Sequence, residues 1–519
     1  AFKHALTQEA TYQGILEQRK MAFHRNVALG IEKLYKERIE DFYEELAHHW
    51  ERSKDKEKTL EYLVKVGQKA SKNYLNDTAV EYYTRAIELA KELAMTGDRL
   101  AEIYHYRGSL YNTIMFYEES VSDLIDALSF YTNQPKRASV CALLSRIYWA
   151  DVYDIEESVL YARKALSEID PMSKSHETAE VYSNAARIFI NVVDQEEGIR
   201  YIRKVISISE EMGYKDMLSF SYSYLYLFYF KQSLSNEEAQ SASEKALFYL
   251  PYVKSNLPEY ASACILHGLA VKGDECVYFW QEAIEAGIRS GAPQVVVRAA
   301  ERLGNFYASK GEIHKAIETY EQAWQFGTLK RYINFSILPQ TAEGLIDLYM
   351  LNSEHRKMLD MMWQMIDSTR ILHGKPKVYP TMLRRWNDQV ERIYKKLWDS
   401  APQAYHDLEN ALESRIKETD NDGEVFFYFG QLMLLAVISK RKEQVETYSK
   451  ELIRLKSGAG SFADRISSRL RIFIEILDVE IDQRLVSFRE LFRSVDSLDG
   501  FQDACEYANL MLPTEIIKE

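Results

Sequence analysis

The chain has 519 residues, a formal net charge of −13 and 46% apolar residues, with few glycines (21) and prolines (10). That charge argues against a dominant role on nucleic acid or an anionic membrane, both of which call for a basic footprint. The four cysteines, Cys141, Cys264, Cys276 and Cys505, lie far apart and have no metal-ligand spacing, which fits buried thiols in a reducing compartment. The longest strongly apolar stretch, residues 426–438, falls short of the ~20 residues that span a bilayer. A cytoplasmic protein is expected. The chain begins with Ala1 rather than methionine, which points to a piece of a longer polypeptide.

In chain order, residues 2–12 (FKHALTQEATY) lead into Ile15, Leu16, Arg19, His24, Val27 and Ala28, then into Leu46, Ala47, His48, His49 and Trp50. His24, His48 and His49 invite a metal reading. Adjacent histidines on a helix point about 100° apart, however, and zinc needs three or four converging ligands, so packing explains them better. From residue 53 a repeat sets in. Gly67, Ala70, Ala79, Tyr83 and Ala86 are echoed by Gly108, Tyr111, Ser120, Leu124 and Ala127. The clearest unit is Leu303, Gly304, Tyr307, Gly311, Ala316, Tyr320 and Ala323. Small residues sit where two helix axes approach closely, and large ones fill the space beside them.

The late small position of each unit falls at Ala86, Ala127, Ala165, Val205, Ala246, Ala283, Ala323 and Met365, spaced 37 to 42 residues apart. The polar breaks at 76–77, 117–119, 151–156, 194–197, 233–237, 272–274 and 309–312 supply acceptors for free helix-start N–H groups. The alternating run at 221–230 could pass for a strand, but it is in phase with a first helix, and a lone strand would leave its backbone unpaired. After residue 372 the period fades. Helical patterns continue to about residue 483, interrupted by a flexible-looking linker at 456–461. The basic run of Lys375, Lys377, Arg384, Arg385, Arg392, Lys395 and Lys396 reads as a solvated helix face.

The pattern resembles the tetratricopeptide repeat, with units of about 40 residues instead of 34. The expected fold is all-α: an α-solenoid superhelix of long hairpins. The expected organisation is an N-terminal adaptor (1–52), about eight hairpins (53–372) and a C-terminal helical extension that caps them (373–519). In tetratricopeptide folds the first helix of each hairpin lines the concave wall, with wall residues at −6, −3, +1 and +4 from the glycine position. That rule selects Glu102, His105, Ser109 and Asn112; Glu180, Ser183, Arg187 and Ile190; Ser221, Tyr224, Phe228 and Lys231; and Arg298, Glu301, Asn305 and Ala308. It also selects Val140, Leu143, Ile147 and Ala150, an apolar strip. The candidate binding residues are therefore His105, Asn112, Arg187, Tyr224, Phe228, Lys231, Arg298 and Asn305. The lysine–asparagine clamp of some tetratricopeptide domains is absent, its positions holding Val64, Gln68 and Tyr106.

With the motifs at 2–50, roughly the first ninety residues resemble the segment that follows the ATPase module in bacterial multidomain signalling ATPases, often fused to class III adenylate or guanylate cyclases. The resemblance implies a regulatory, non-catalytic sensor arm that binds a peptide, protein or polar small molecule and controls an upstream nucleotide-dependent domain. A passive protein–protein scaffold is the alternative, and a self-contained enzyme ranks third. The sequence has no GxxxxGK[ST] phosphate loop and no GxSxG elbow. No catalytic residue, metal or cofactor is nominated, and neither nucleic acid nor membrane is an expected partner.

Overall fold

The computed structural model describes residues 16–152, 154–231, 236–271, 273–328, 338–374, 380–460 and Phe462. The opening residues 2–12, the helical pattern beyond residue 462 and Cys505 lie outside them. Among the described residues every regular element is helical. Two helices, α1 (Glu17–Leu34) and α2 (Tyr43–Arg52), precede a series of antiparallel pairs. These are α3 (Lys56–Lys72) with α4 (Asn76–Glu92), α5 (Asp98–Thr113) with α6 (Tyr117–Phe130), and α7 (Gln134–Ile147) with α8 (Ile155–Ser167). Next come α9 (His176–Ile188) with α10 (Gln195–Met212), α11 (Lys215–Lys231) with α12 (Asn236–Tyr249), and α13 (Leu257–Ala270) with α14 (Glu275–Ser290). Then follow α15 (Pro293–Ser309), α16 (Ile313–Thr328), α17 (Leu338–Leu351), α18 (His355–Gly374), α19 (Pro380–Ser400), α20 (Pro402–Glu418), α21 (Asp422–Ile438) and α22 (Lys442–Leu455). The fold is thus an all-α solenoid of helical hairpins. The strand-like run at 221–230 is helical, inside α11. No described helix is long and apolar enough to cross a membrane.

The chain divides into two compact units, one ending at Ala299 and the other starting at Ala300, inside α15. The expected boundaries at 52 and 372 concern repeat phase, which this division does not address.

Small residues set the hairpin seams. A Cβ placed on Gly67 would come 2.7 Å from the Tyr83 ring, and one on Gly304 would come equally close to Tyr320. Only a residue without a side chain lets the second helix lay an aromatic ring against the first. Other seams add hydrogen bonds from serines. Ser120 Oγ donates to the Gly108 carbonyl at 2.7 Å across the α5–α6 seam. Ser145 and Ser158 exchange hydroxyl-to-carbonyl bonds of 2.8 and 2.9 Å across α7–α8. Helix starts use the expected acceptors: Asp154 and Asp194 receive the Glu157 and Glu197 amides at 3.2 and 3.0 Å. Helices α7 and α9 each end in one wider, π-type turn, at Tyr148–Val152 and Phe189–Val193.

Within the second unit one core runs from Ala316 to Ala459, with Trp386, Tyr394, Tyr405, Phe426 and Phe427 fully buried. Two residues of the expected flexible linker are packed. Ala459 is buried in this core, and Gly458 packs against Asp422 at the start of α21.

Leu303, buried on α15, should cost roughly 2 to 5 kcal/mol when replaced by alanine. Urea denaturation followed by circular dichroism checks this. A second outcome concerns acid. His267 is fully buried, its Nε2 lies 3.2 Å from Ser219 Oγ, and burial pushes its pKa down to about 4. The unfolded chain therefore binds a proton first. Stability is complete above pH ~6.5 and falls as the pH drops toward 4, by up to about 3 kcal/mol from this residue. In His267→Gln, melting curves between pH 7 and 4 should show a correspondingly flatter acid slope.

Candidate ligand-binding site

The first unit winds back on itself. The Leu257 amide, at the start of α13, donates to Tyr74 Oη at 2.9 Å. Asn76 Nδ2 donates to the Ser290 and Gly291 carbonyls at 3.2 and 3.4 Å. The first hairpin (α3–α4) therefore touches the sixth (α13–α14). Asn76 had been expected only to serve a helix start. It is the first residue of α4 and reaches instead for the carbonyl end of α14. Gly291 suits that contact twice: its φ is +60°, and a Cβ there would sit 2.8 Å from Asn76 Nδ2.

Inside this turn lies a cavity of about 630 Å³, in the size range of small-ligand sites. Its wall comes from consecutive first helices: His105, Ser109 and Asn112 of α5; Lys136, Ser139, Leu143 and Arg146 of α7; Glu180, Ser183 and Arg187 of α9; Met217 and Phe220 of α11; Pro258, Glu259 and Ala263 of α13. His176, Glu177 and Asp216, near helix starts, complete one rim.

Of the eight candidates, His105, Asn112 and Arg187 line this cavity. Tyr224 stands one turn beyond Phe220, with the two ring centroids 5.0 Å apart. Phe228 lies a further turn along, half-buried against Tyr229. Lys231 closes α11, and its side chain is outside the described residues. Arg298 donates from Nη2 to the Ala150 carbonyl at 3.2 Å, in the π-turn after α7. Asn305 belongs to the second unit, where its Oδ1 accepts the Tyr320 hydroxyl at 2.8 Å.

The expected apolar strip is corrected. Val140 and Ile147 are fully buried in the hairpin seams. The wall of α7 is Lys136, Ser139, Leu143 and Arg146, which is the same rule counted from Ala142. No spacing in the sequence singles out Ala142: Ser158 stands twelve residues after Arg146, as Ser120 stands after Gly108, which is why the frame fell one turn late. On α11 the rule counts from Ser223, one turn earlier than assumed, and it brings in Met217 and Phe220. Glu259 carried no sequence signal.

The wall groups are surrounded by protein on most sides, and their ionisation shifts accordingly. Desolvation lowers His105 to about 4, helped by Lys136, so its imidazole is neutral at pH 7; its Nδ1 lies 3.3 Å from Tyr131 Oη. Desolvation, then the neighbouring Glu259, raises the Glu180 carboxyl. The same desolvation lowers Arg187. His176 goes the other way, raised first by its hydrogen bond to Asp216 at 3.1 Å.

His24, His48 and His49 do converge, outside the cavity. Their ring centroids are 5.0 to 5.8 Å apart, and His24 Nδ1 lies 2.8 Å from His49 Nδ1. Among the described residues no group of three or more His, Cys, Asp or Glu side chains is arranged to hold a metal.

Residues 297–324 match the family model described as a tetratricopeptide repeat, so this stretch is a tetratricopeptide-type hairpin, α15 with α16. Repeats of this class serve as protein-interaction scaffolds. Among solved structures, yeast Tom70 is similar over 93% of this chain and 95% of its own, at 12% identity and a TM-score of 0.27. The TPR domain of P58(IPK) is similar over 80% of this chain and 98% of its own, at 8% identity and a TM-score of 0.22. Scores this low say nothing about a ligand or partner. No curated protein matches the sequence.

The closing contact makes a local prediction. In Tyr74→Phe the Leu257 amide loses its acceptor. Its hydrogen exchange should speed by about tenfold, corresponding to ~1.4 kcal/mol, while amides in the α5–α6 hairpin keep their wild-type rates.

Proposed function

We propose that this chain is a non-catalytic recognition arm that holds a peptide in the cavity of its first unit. The observation that carries the reading is that one cavity is lined by five consecutive hairpins, α5 to α13, with charged, amide and aromatic groups side by side. A ligand touching all five binds one winding of the hairpins better than another. That differential affinity is what a sensor requires. The contact of Tyr74 and Asn76 with α13–α14 is the joint that such a change would strain or relieve. The module that reads the change is, in this proposal, an upstream signalling ATPase or class III cyclase. The support for it is the resemblance of roughly the first ninety residues to the segment that follows such ATPases. The tetratricopeptide-type hairpin favours the plainer scaffold reading equally well, and the coding sequence upstream of Ala1 separates the two.

The binding test is a peptide-display selection on the full chain. Selected peptides should bind the wild type and lose at least tenfold in affinity, ~1.4 kcal/mol, against Ser139→Trp, which fills the cavity. Lys164→Glu, on the exposed side of α8, should leave binding unchanged. Calorimetry reads both. Peptides that bind Ser139→Trp as tightly as wild type would sink the proposal.

A further inference from the structure

Arg187, in the middle of the cavity wall, forms no ion pair among the described residues. Two arginines of the same unit that do not line the cavity are paired. Arg107 holds Asp123 through two bonds of 2.7 and 2.8 Å. Arg137 bonds Glu168 at 3.1 Å and the Leu128 carbonyl at 2.9 Å. Arg187 differs. Its guanidinium carbon lies 3.6 Å from the Phe220 ring centroid, so the planar group is laid against an aromatic face. Its Nε is sealed from solvent and makes no hydrogen bond. Among the described residues no carboxylate pairs with it. Leaving a half-buried cation without an acceptor costs free energy, of which stacking on a ring offsets about 2 kcal/mol. An unsatisfied group of this kind calls for an explanation, and an incoming anion supplies one.

The acids of the wall are unpaired in the same way. Glu180 and Glu259 make no ion pair among the described residues, although each interacts electrostatically with Arg187, and Glu259 penalises the charged form of Glu180. Glu180 and Arg187 stand seven residues apart on one face of α9, about 10 Å along the helix axis. That is the length of about three extended residues. The lining carries Lys136, Arg146 and Arg187 against Glu177, Glu180, Asp216 and Glu259. Opposite charges so nearly balanced disfavour a polyanion such as a phosphate ester.

Resting on the recognition reading above, we infer that the cavity takes a zwitterionic ligand about three residues long, its carboxylate on Arg187 and its ammonium on Glu180 with Glu259. Guanidinium suits a carboxylate because its N–H fork matches both oxygens. The Phe220 face holds that fork in place before the ligand arrives, which cuts the ordering cost of binding.

The experiment uses the full chain and four probes: a mixed tripeptide pool with free termini, the same pool C-amidated, the same pool N-acetylated, and inorganic phosphate. Competition calorimetry should show the free pool binding, with amidation and acetylation each weakening it at least tenfold and phosphate not competing. In Arg187→Met the amidation effect should vanish, and in Glu180→Gln the acetylation effect should vanish. Arg187→Met should also melt no lower than wild type in the absence of peptide, because it removes an unpaired, half-buried charge and keeps the stem packed on Phe220, so a folding failure is not expected to mask the result. Blocked peptides binding as well as free ones, phosphate competing as well as peptide, or tripeptides failing to bind at all would overturn the inference. If longer peptides still lose affinity in Ser139→Trp, the recognition arm survives that failure. If they do not, both readings fall together.

Discussion

Everything in this molecule depends on how closely the two helices of a hairpin can approach. Gly67 under Tyr83 and Gly304 under Tyr320 leave no room for even one carbon between backbone and ring. At Gly108 the overlying side chain is Leu124, and Ser120 adds a hydroxyl-to-carbonyl bond across the same seam. This contact fixes which face of the first helix is turned away from its partner. The wall residues are those that remain, so the position of one small residue per hairpin decides which side chains reach the cavity.

The cavity owes its electrostatics to the same geometry. A convex helix surface lies open to water over half of space. A concave wall is reachable by water yet has helices on nearly every side. His105, Glu180 and Arg187 differ in chemistry, but desolvation disfavours the charged form of each. A binding surface made this way strengthens ionic contacts with whatever enters it. It also makes an unmatched charge expensive, which is why the lone guanidinium on Phe220 is informative.

The contact between the first and sixth hairpins turns an open curve into a chamber. It uses few atoms: one tyrosine hydroxyl, one asparagine amide, and a glycine with a left-handed backbone. A link of that size adds little to stability. It can be made or broken by a modest change in curvature, and small rotations at each hairpin add up along a solenoid.

The all-α class, the hairpin period and the helical character of residues 221–230 could be read from the sequence, because a one-sided apolar stripe and a recurring small residue are local signals. On α5 and α9 the same signals also found His105, Asn112 and Arg187. They failed on α7 and α11, where alanine or serine stands in for glycine and the frame slipped by one turn. The placing of Phe220 under Arg187, the approach of Glu259 from α13 and the reach of Asn76 to Ser290 were decided by tertiary structure alone. Those partners lie 33, 72 and 214 residues apart. They meet only through the summed rotation of the intervening hairpins, a quantity that no single stretch of sequence encodes.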